Sequence, residues 1–244
     1  MIGQVPQHLL PPYYQVKQYV RGNVENGLWT PGQLVPSETE LVKLFGLARG
    51  TVRRALKELV AEGIIIQKQG RGTFVAQPKV TQGFTRLSGF SADMRRMGRS
   101  PEARVLAVEM VAPSPKIAGA LRLAEGDRVV QLRRLRLADG EPMNLETVSL
   151  PPRLFPGLLD EDLSGQSLYA LITEKYKIPI IKTTEYVESI VLDAAQAKLL
   201  GVAPKSPAIR LERITETHGG MPIEHCLTVA RGDRTRLIVE TGPK

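Results

Sequence analysis

The N-terminal part of the chain is organised around the segment PSETELVKLFGLARGTVRRALKEL, residues 36–59. Ser37 and Glu40 fit a capping box, in which each side chain satisfies a free backbone amide at the start of a helix. Gly46 predicts the end of this short helix, and a longer second helix is predicted from Arg49 onward. Apolar residues recur at helical spacing in the second helix and predict a stripe that faces the core. They are Val52, Ala55, Leu56, Leu59 and Val60.

The flanking sequence predicts the rest of a winged helix-turn-helix domain. Apolar residues at helical spacing between Tyr13 and Gly27 predict a helix upstream. Downstream, two β-rich runs at 64–66 and 73–75 enclose a basic turn at 68–72, which is typical of a hairpin. The segment therefore lies between a first helix and a β-hairpin, the wing, with positive charge at its tip.

Basic residues follow one stripe of the second helix. Arg49, Arg53 and Lys57 are four residues apart, and Arg54 is beside them. A single basic stripe is more often a solvated helix face, but the helix–turn–helix and the basic hairpin together favour a helix that enters the major groove. Arg49 and Arg53 would then reach guanine O6 and N7, while Lys57 would contact phosphate.

The charge distribution agrees with a polyanionic partner for this part of the chain. The 244 residues carry a net charge of +8, of which +4 belongs to residues 1–78 and +4 to the twice longer remainder. No apolar run approaches the roughly 18 residues that span a bilayer, the N-terminus has no secretory signal pattern, and Cys226 is the only cysteine. We expect a cytoplasmic protein with domains at 1–76 and 86–244, joined by a linker at 77–85.

Several motifs of this region resemble the DNA-binding domain of the GntR family of bacterial regulators. They are Pro12-Tyr13-Tyr14-Gln15, Pro36-Ser37-Glu38-x-Glu40-Leu41, Phe45-Gly46, Arg49-x-Thr51-Val52-Arg53-x-Ala55-Leu56 and Gly70-Arg71-Gly72-Thr73-Phe74-Val75. The resemblance covers residues 12–75. It implies that Arg49, Thr51 and Arg53 contact operator DNA, and that Ser37 and the wing residues Gly70 and Arg71 assist. Ala48 departs from the family pattern, because it offers no side-chain cap or phosphate hydrogen bond.

The C-terminal two-thirds contains an internal repeat. Residues 103–150 and 182–230 each have a strand-like run, a short capped helix and a β-hairpin. Matching residues lie 79 apart, as Arg134 and Arg213 do. This order predicts an α+β fold, with an antiparallel sheet of pseudo-twofold symmetry and a cleft between its halves.

Charged residues of the repeat are candidates for a ligand site. Arg134 and Arg136 project from the same face of a predicted strand, and two guanidinium groups suit a phosphate or carboxylate. Glu146 and Glu224 lie on the return strands of the two hairpins, and Ser167 begins a helix whose free amides suit an anion. For each charged residue alone, surface exposure is the simpler interpretation, and Arg134 has the alternative of pairing with a strand neighbour.

This region resembles the UTRA effector domain, which marks the HutC-type branch of GntR regulators. The motifs are Gly89-Phe90-Ser91, Arg134-Leu135-Arg136, Asp139-Gly140-Glu141-Pro142-Met143, Leu145-Glu146, Ser167-Leu168-Tyr169, Pro222-Ile223-Glu224 and Arg231-Gly232-Asp233-Arg234. The resemblance spans residues 86–241. It implies a chorismate-lyase-like fold, a homodimer and a pocket for a small metabolite lined by Phe90, Ser91, Arg134, Arg136, Glu146, Ser167, Tyr169 and Glu224. Ala230 and Thr235 replace usual aromatic residues, which enlarges the expected pocket or makes it less polar.

Catalytic and metal chemistry have little support in the sequence. The three histidines, His8, His218 and His225, form no chelating pattern, and Cys226 is predicted to be a buried apolar residue rather than a nucleophile. We expect no cofactor, no metal and no enzyme activity. The predicted function is a DNA-binding repressor controlled by a small, anionic metabolite. The alternatives are a lyase-like enzyme joined to a DNA-binding domain and an architectural DNA-binding protein without an effector.

Overall fold

The structure, a computed structural model, describes residues 10–68, 70–77, 79–83, 89–164 and 166–238. The chain forms two compact units, Met1–Lys79 and Val80–Lys244. The first is helical with a small sheet, and the second is built on a six-stranded antiparallel sheet. The predicted α+β class is confirmed. The division at 1–76, 77–85 and 86–244 stays a prediction, and within that linker Pro78, Phe84 and Thr85 lie outside the described residues.

In the first unit, the described residues form three helices and a three-stranded sheet. The helices are α1 (Pro12–Glu25), α2 (Glu38–Phe45) and α3 (Arg49–Ala61), and the strands are β1 (Leu34–Val35), β2 (Ile65–Lys68) and β3 (Gly72–Val75). Strand β3 lies between β1 and β2 and pairs with both in antiparallel register. The apolar stripe of α3 packs against α1, α2 and the sheet in one core. Val52, Ala55, Leu56 and Leu59 are buried there, and Val60 is only partly buried.

Local signals fix the ends of these elements. The Ser37–Glu40 capping box is present at the start of α2, and Gly46 ends that helix in the left-handed conformation at φ +64°. Gly72 starts β3 at φ +110°, and a Cβ added there would lie 2.9 Å from Leu34 Cδ1. The backbone conformation is what requires glycine at this position, because the exposed Leu34 side chain is able to move away from an added Cβ.

The second unit contains the predicted repeat. Its first half is β5 (Pro101–Val111), α5 (Pro115–Leu121), β6 (Val129–Ala138) and β7 (Glu141–Leu150). Its second half is β8 (Lys182–Val191), α7 (Ala194–Leu200), β9 (Pro207–Glu216) and β10 (Pro222–Arg231). The sheet order β5-β6-β7-β10-β9-β8 joins the halves through β7 and β10, as expected for pseudo-twofold symmetry.

The remaining elements of this unit lie outside the repeat. Strand β4 (Val80–Gly83) pairs in parallel with β11 (Thr235–Ile238), so part of the predicted linker is a strand. Helix α4 spans Phe90–Arg96, and α6 (Leu168–Ala170) continues as a π-helical turn over Leu171–Lys175. Three 3₁₀ turns connect strands, at Pro152–Leu154, Leu158–Asp160 and His218–Gly220.

The two faces of the large sheet are covered by different parts of the chain. Each repeat helix packs on a strand of the other half of the sheet: α5 of the first half packs on β10, and α7 of the second half packs on β7. The other face is covered by the segment from Phe155 to Ile172, whose apolar side chains form the largest buried cluster with β6, β7 and β10. The candidate charged residues belong to this second face, because they share the two-residue spacing of their strands with apolar residues of this cluster: Arg134 and Arg136 with Leu132, Glu146 with Val148, and Glu224 with Cys226.

Candidate functional site

The exposed side of α3 carries the predicted basic stripe. Arg49, Arg53 and Lys57 are all exposed. Arg53 donates from Nε and Nη2 to the two carboxylate oxygens of Glu38 on α2, at 3.1 and 2.9 Å. The hydrogen bond from Arg53 holds the pKa of Glu38 below its ordinary value. This pair ties the position of the Arg53 guanidinium to the preceding helix while its side chain stays 60% exposed.

Two of the predicted DNA contacts are engaged within the unit. Ser37 Oγ donates to Glu40 at 2.7 Å and accepts from the Glu40 amide at 3.3 Å, so its hydroxyl serves the cap of α2. Arg54 turns away from the stripe toward α1, where its guanidinium carbon lies 4.0 Å from the centre of the Tyr13 ring. Its Nε also donates to Glu58 at 3.1 Å. The geometry gives Arg54 a role in packing α3 against α1 that the sequence analysis missed.

The start of α3 and the wing complete this surface. Ala48 precedes α3 and provides no side-chain cap, which leaves the first amides of the helix available to an anion. Thr51 lies in the first turn and is half-buried. Gly70 and Arg71 are exposed between β2 and β3. We refer to Arg49, Thr51, Arg53 and Lys57 with the wing residues as the recognition surface, and all of them except the half-buried Thr51 are exposed.

The second unit holds an ion pair inside its core. Arg134 on β6 lies directly opposite Glu146 on β7 and donates to it from Nε at 2.9 Å and from Nη2 at 2.5 Å. Arg134 is 2% exposed. Burial alone would raise the pKa of Glu146, but Arg134 and Arg136 outweigh it and hold that pKa below its ordinary value. Arg134 therefore pairs with a residue of the neighbouring strand, which is one of the two interpretations that the sequence left open. The other interpretation, exposure at the surface, is wrong for this residue.

Arg136 lies two residues farther along β6 on the same face and is 3% exposed. Its Nη2 donates to Ser91 on α4 at 2.6 Å, and its guanidinium carbon lies 4.8 Å from the centre of the Phe90 ring. The nearest carboxylate, Glu146, is 4.0 Å from Nη1 and is already bound to Arg134. Burial lowers the pKa of Arg136 to about 10, so it remains a cation at neutral pH without a carboxylate of its own among the described residues.

Glu224 is the centre of a second buried network. Thr215 on β9 donates to it at 2.5 Å and Tyr169 on α6 donates to it at 3.1 Å. Arg213 donates to the Tyr169 hydroxyl at 3.1 Å and also binds Glu185. Burial raises the pKa of Glu224 above its ordinary value, although its hydrogen bonds oppose the shift.

The structure brings together most of the predicted effector-site residues. Phe90 and Ser91 contact Arg136, Arg134 binds Glu146, and Tyr169 binds Glu224. Ser167 is not among these contacts; its side chain caps α6 by accepting from the Ala170 amide at 3.4 Å. The sequence analysis missed three members of the Glu224 network, namely Thr215, Arg213 and Glu185. The 79-residue offset that matches Arg213 to Arg134 is the signal that could have identified one of them.

Histidine and cysteine form no reactive site in the described part of the chain. Cys226 is buried as predicted, and burial raises the pKa of its thiol well above the ordinary value. His225 is buried and its Nε2 lies 3.0 Å from Glu212, while His8 lies outside the described residues. Among those residues, no group of three or more His, Cys, Asp or Glu side chains could hold a metal ion. None of their helices is long and apolar enough to cross a membrane.

Known proteins match the chain over nearly its whole length. The gntR family of bacterial regulatory proteins matches residues 12–75, and the UTRA domain matches residues 96–236. The chain is 33% identical over 232 residues to the HTH-type transcriptional repressor NagR of Bacillus subtilis, covering 95% of each protein. It is 30% identical to the histidine utilization repressor of Pseudomonas putida, covering 97% of this chain and 94% of that protein.

A solved structure has the same architecture. The crystal structure of PhnF from Mycobacterium smegmatis superimposes with a TM-score of 0.67 at 29% identity, covering 96% of this chain and all of that one. The two relatives named above are repressors of transcription rather than enzymes. They therefore support a regulator and not the alternative of a lyase-like enzyme. The helix-turn-helix unit binds DNA and the UTRA unit binds an effector, and this chain belongs to the GntR family of bacterial transcriptional regulators, in its UTRA-containing HutC subfamily.

Proposed function

We propose that the chain is a cytoplasmic repressor that binds a palindromic operator as a homodimer. A small metabolite with a phosphate or carboxylate group binds to the second unit and releases the operator. The observation that carries the anionic nature of the effector is Arg136, a buried cation whose one nearby carboxylate among the described residues is bound to another arginine.

The electrostatics of the buried cluster support an oxyanion. A buried charge without a close counter-ion is costly, and a ligand that supplies the counter-ion recovers that cost. Glu146 neutralises Arg134 and Glu185 neutralises Arg213, which leaves Arg136 as the unmatched cation of the three arginines. Its planar guanidinium is suited to two parallel hydrogen bonds with a phosphate or carboxylate.

The recognition surface supports sequence-specific binding of double-stranded DNA. Arg49 and Arg53 lie in the first turns of α3, the part of a recognition helix that contacts base edges in the major groove. Lys57, the free amides at the start of α3 and Arg71 in the wing suit phosphates. A domain of this size reads only a half-site, and a homodimer would read two of them related by twofold symmetry.

Release of DNA follows if the effector binds more tightly to a state whose recognition helices no longer match the operator spacing. Relatives named as repressors of histidine utilization and, in Escherichia coli, of the fructoselysine utilization operon agree with metabolite control of this kind. The metabolite of this chain is proposed only by its chemical class.

Fluorescence anisotropy with the DNA upstream of the chain's own gene tests the proposal. We expect tight binding to one fragment at moderate salt, and weaker binding in the presence of one member of a panel of phosphorylated sugars, sugar acids and amino-acid degradation products. Retention of no fragment would contradict a DNA-binding regulator. An unchanged melting temperature and unchanged DNA affinity across the whole panel would instead favour an architectural DNA-binding protein.

A further inference from the structure

Asn144 on β7 is a buried polar residue that the site described above does not use. Its residue is 3% exposed, and its carbonyl oxygen Oδ1 is buried without a hydrogen-bond partner in the described part of the chain. The register places it directly opposite Arg136 on β6 and opposite Ala230 on β10. Asn144 therefore projects from the same face of the sheet as the Arg134–Glu146 pair.

Arg136 has a matching unsatisfied group. Its Nε is also buried without a hydrogen-bond partner among the described residues. Directly opposite residues of neighbouring antiparallel strands have Cβ atoms about 4.5–5.5 Å apart. One buried donor and one buried acceptor without partners thus belong to directly opposite residues of adjacent strands.

Another unpartnered buried polar atom of the same strand does not belong to this pair. Ser149 on β7 also has a buried hydroxyl without a partner, but it lies five residues from Asn144 and so faces the opposite side of the sheet. Buried polar groups in native structures are almost always hydrogen-bonded, and leaving one unmade is costly. Two such groups on directly opposite residues indicate a ligand that forms a hydrogen bond with each of them.

The neighbour on β10 offers no side-chain partner to Asn144 Oδ1. Ala230 is fully buried and carries only a methyl group opposite Asn144. It cannot supply a hydrogen bond to the amide. The edge of the site at Asn144 is therefore polar on β6 and β7 and small and apolar on β10.

We propose that Asn144 determines the specificity of the effector site. In this inference, which rests on the proposed function, Arg136 Nε donates to the oxyanion of the effector. Asn144 Oδ1 accepts from a hydroxyl or N–H group of the effector close to that oxyanion. The ligand class is a hydroxylated or aminated phosphate or carboxylate rather than a simple alkyl anion.

Two matched pairs of small anions test this role in the full chain by isothermal titration calorimetry. Glycerol 3-phosphate is compared with n-propyl phosphate, and glycerate with propionate, because the members of a pair differ mainly in their hydroxyl groups. We expect one pair to show preference for the hydroxylated member by about fivefold, the size of one neutral hydrogen bond. In N144A the preference should fall to within about twofold, with the affinity for the alkyl anion unchanged. T147A, on the same strand but the opposite face, should keep the preference.

A melting experiment separates this role from a structural one. If the amide is reserved for a ligand, the unliganded N144L protein should melt at the same temperature as the unchanged protein or higher, because an unsatisfied group has been removed. A clear fall in the melting temperature of N144L would mean that the amide is bonded within the fold, and would overturn the inference.

The binding outcomes separate the inference from the proposed function. Equal affinity for both members of each pair in the unchanged protein, or a preference that persists in N144A, overturns the role of Asn144 and leaves the anion site intact. Binding of none of the four anions contradicts the anion site itself, and the role of Asn144 with it.

Discussion

The guanidinium of Arg53 is held by one edge only. Nε and Nη2 donate to Glu38, whereas Nη1 has no partner among the described residues. An arginine that reads guanine needs two donors directed at O6 and N7. The ion pair with Glu38 fixes the side chain and leaves the end of the guanidinium for a base, so Glu38 is expected to orient Arg53 for DNA rather than compete with it.

The first prediction separates base reading from phosphate contact on α3. R53A should weaken binding to the specific operator about tenfold or more and have little effect on random DNA, because a bidentate base contact is lost. K57A should weaken both and reduce the slope of log affinity against log salt by about one, because one phosphate contact is lost. Anisotropy titrations on both DNAs at several salt concentrations check this. An equal loss on specific and random DNA in R53A would contradict its assignment.

A second prediction concerns the buried carboxyl of Glu224. Burial raises its pKa above the ordinary value of 4.5, so the folded state binds this proton more tightly than the unfolded state does. In the pH interval above 4.5 the unfolded state therefore binds fewer protons, and this group lowers the free energy of unfolding as the pH rises. Glutamine has no such titration.

E224Q should consequently gain stability relative to the unchanged protein as the pH rises from 5 to 8, and the difference should be smallest at the acidic end. Melting curves of the two proteins over this range measure the difference. A difference that is constant with pH would show that Glu224 is ionised in the folded protein as it is in the unfolded chain.

At the residue scale, the sequence located the charged residues of the site but not their environment. Arg134, Arg136 and Glu224 were identified by spacing and by family motif, and all three are buried. Their burial depends on which strands become neighbours, and the pairing of β7 with β10 brings together residues about 80 positions apart. Asn144 is not identified by the sequence for the same reason. That its Oδ1 lacks a hydrogen-bond partner becomes visible only when Arg136 and Ala230 are known to be its neighbours on the adjacent strands.

At the element scale, an ionic clamp fastens α1 to the recognition helix. Lys17 on α1 is 6% exposed, and its Nζ donates to Glu58 and Glu62 at 2.6 and 2.7 Å. The hydrogen bond to Glu58, followed by that to Glu62, raises the pKa of Lys17. Arg21 adds a more exposed contact to Glu62 at 2.6 Å. The clamp fixes the angle at which α3 is presented.

The third prediction tests this clamp. K17A should lower the free energy of unfolding of the first unit by about 1–3 kcal/mol, less than for a fully buried pair because the two carboxylates are about a third exposed. Trp29 is the only tryptophan and packs on Tyr19 with ring centres 5.7 Å apart, so urea unfolding followed by its fluorescence reports on this unit. The exposed Lys43 supplies the control K43A, and equal curves for both variants would contradict the clamp.

The elements that the sequence predicted well are those with local signals. The helices α2 and α7 begin at capping boxes and end at left-handed glycines, and α5 begins at a serine cap. The strands β1, β4 and β11 were not predicted. The first is two residues long, and the other two pair from opposite ends of the second unit. Such pairings depend on tertiary contact rather than on local pattern.

At the scale of the whole molecule, the repeat explains why one site receives residues from both halves. The offset of 79 residues predicted the symmetry of the sheet, and the order β5-β6-β7-β10-β9-β8 confirms it. The ion pairs of the two halves do not follow this symmetry. In the first half Arg134 binds the carboxylate of the next strand, whereas in the second half Arg213 binds Glu185 and Tyr169. Only the first half has an additional arginine, Arg136, without its own carboxylate.

The additional arginine of the first half allows the response to the effector to be tested separately from DNA binding. Arg136 is buried toward the ionic cluster, and Arg133 is exposed on the opposite face of the same strand. Replacement of each by methionine removes the same charge from the same strand. The two variants therefore lose the same charge, R136M from the buried face of the strand and R133M from its exposed face.

We expect R136M to bind the operator within about twofold of the unchanged protein, because the recognition surface is untouched. Its release by the effector should require at least about tenfold more ligand, since a charge-assisted contact to the oxyanion is gone. Its unliganded melting temperature measures the balance between the removal of a buried charge without its own counter-ion and the loss of the contacts to Ser91 and Phe90. R133M should respond normally. Anisotropy with operator DNA during effector titration measures both properties, and a normal response in R136M would remove Arg136 from the effector site and contradict an anionic effector at this position.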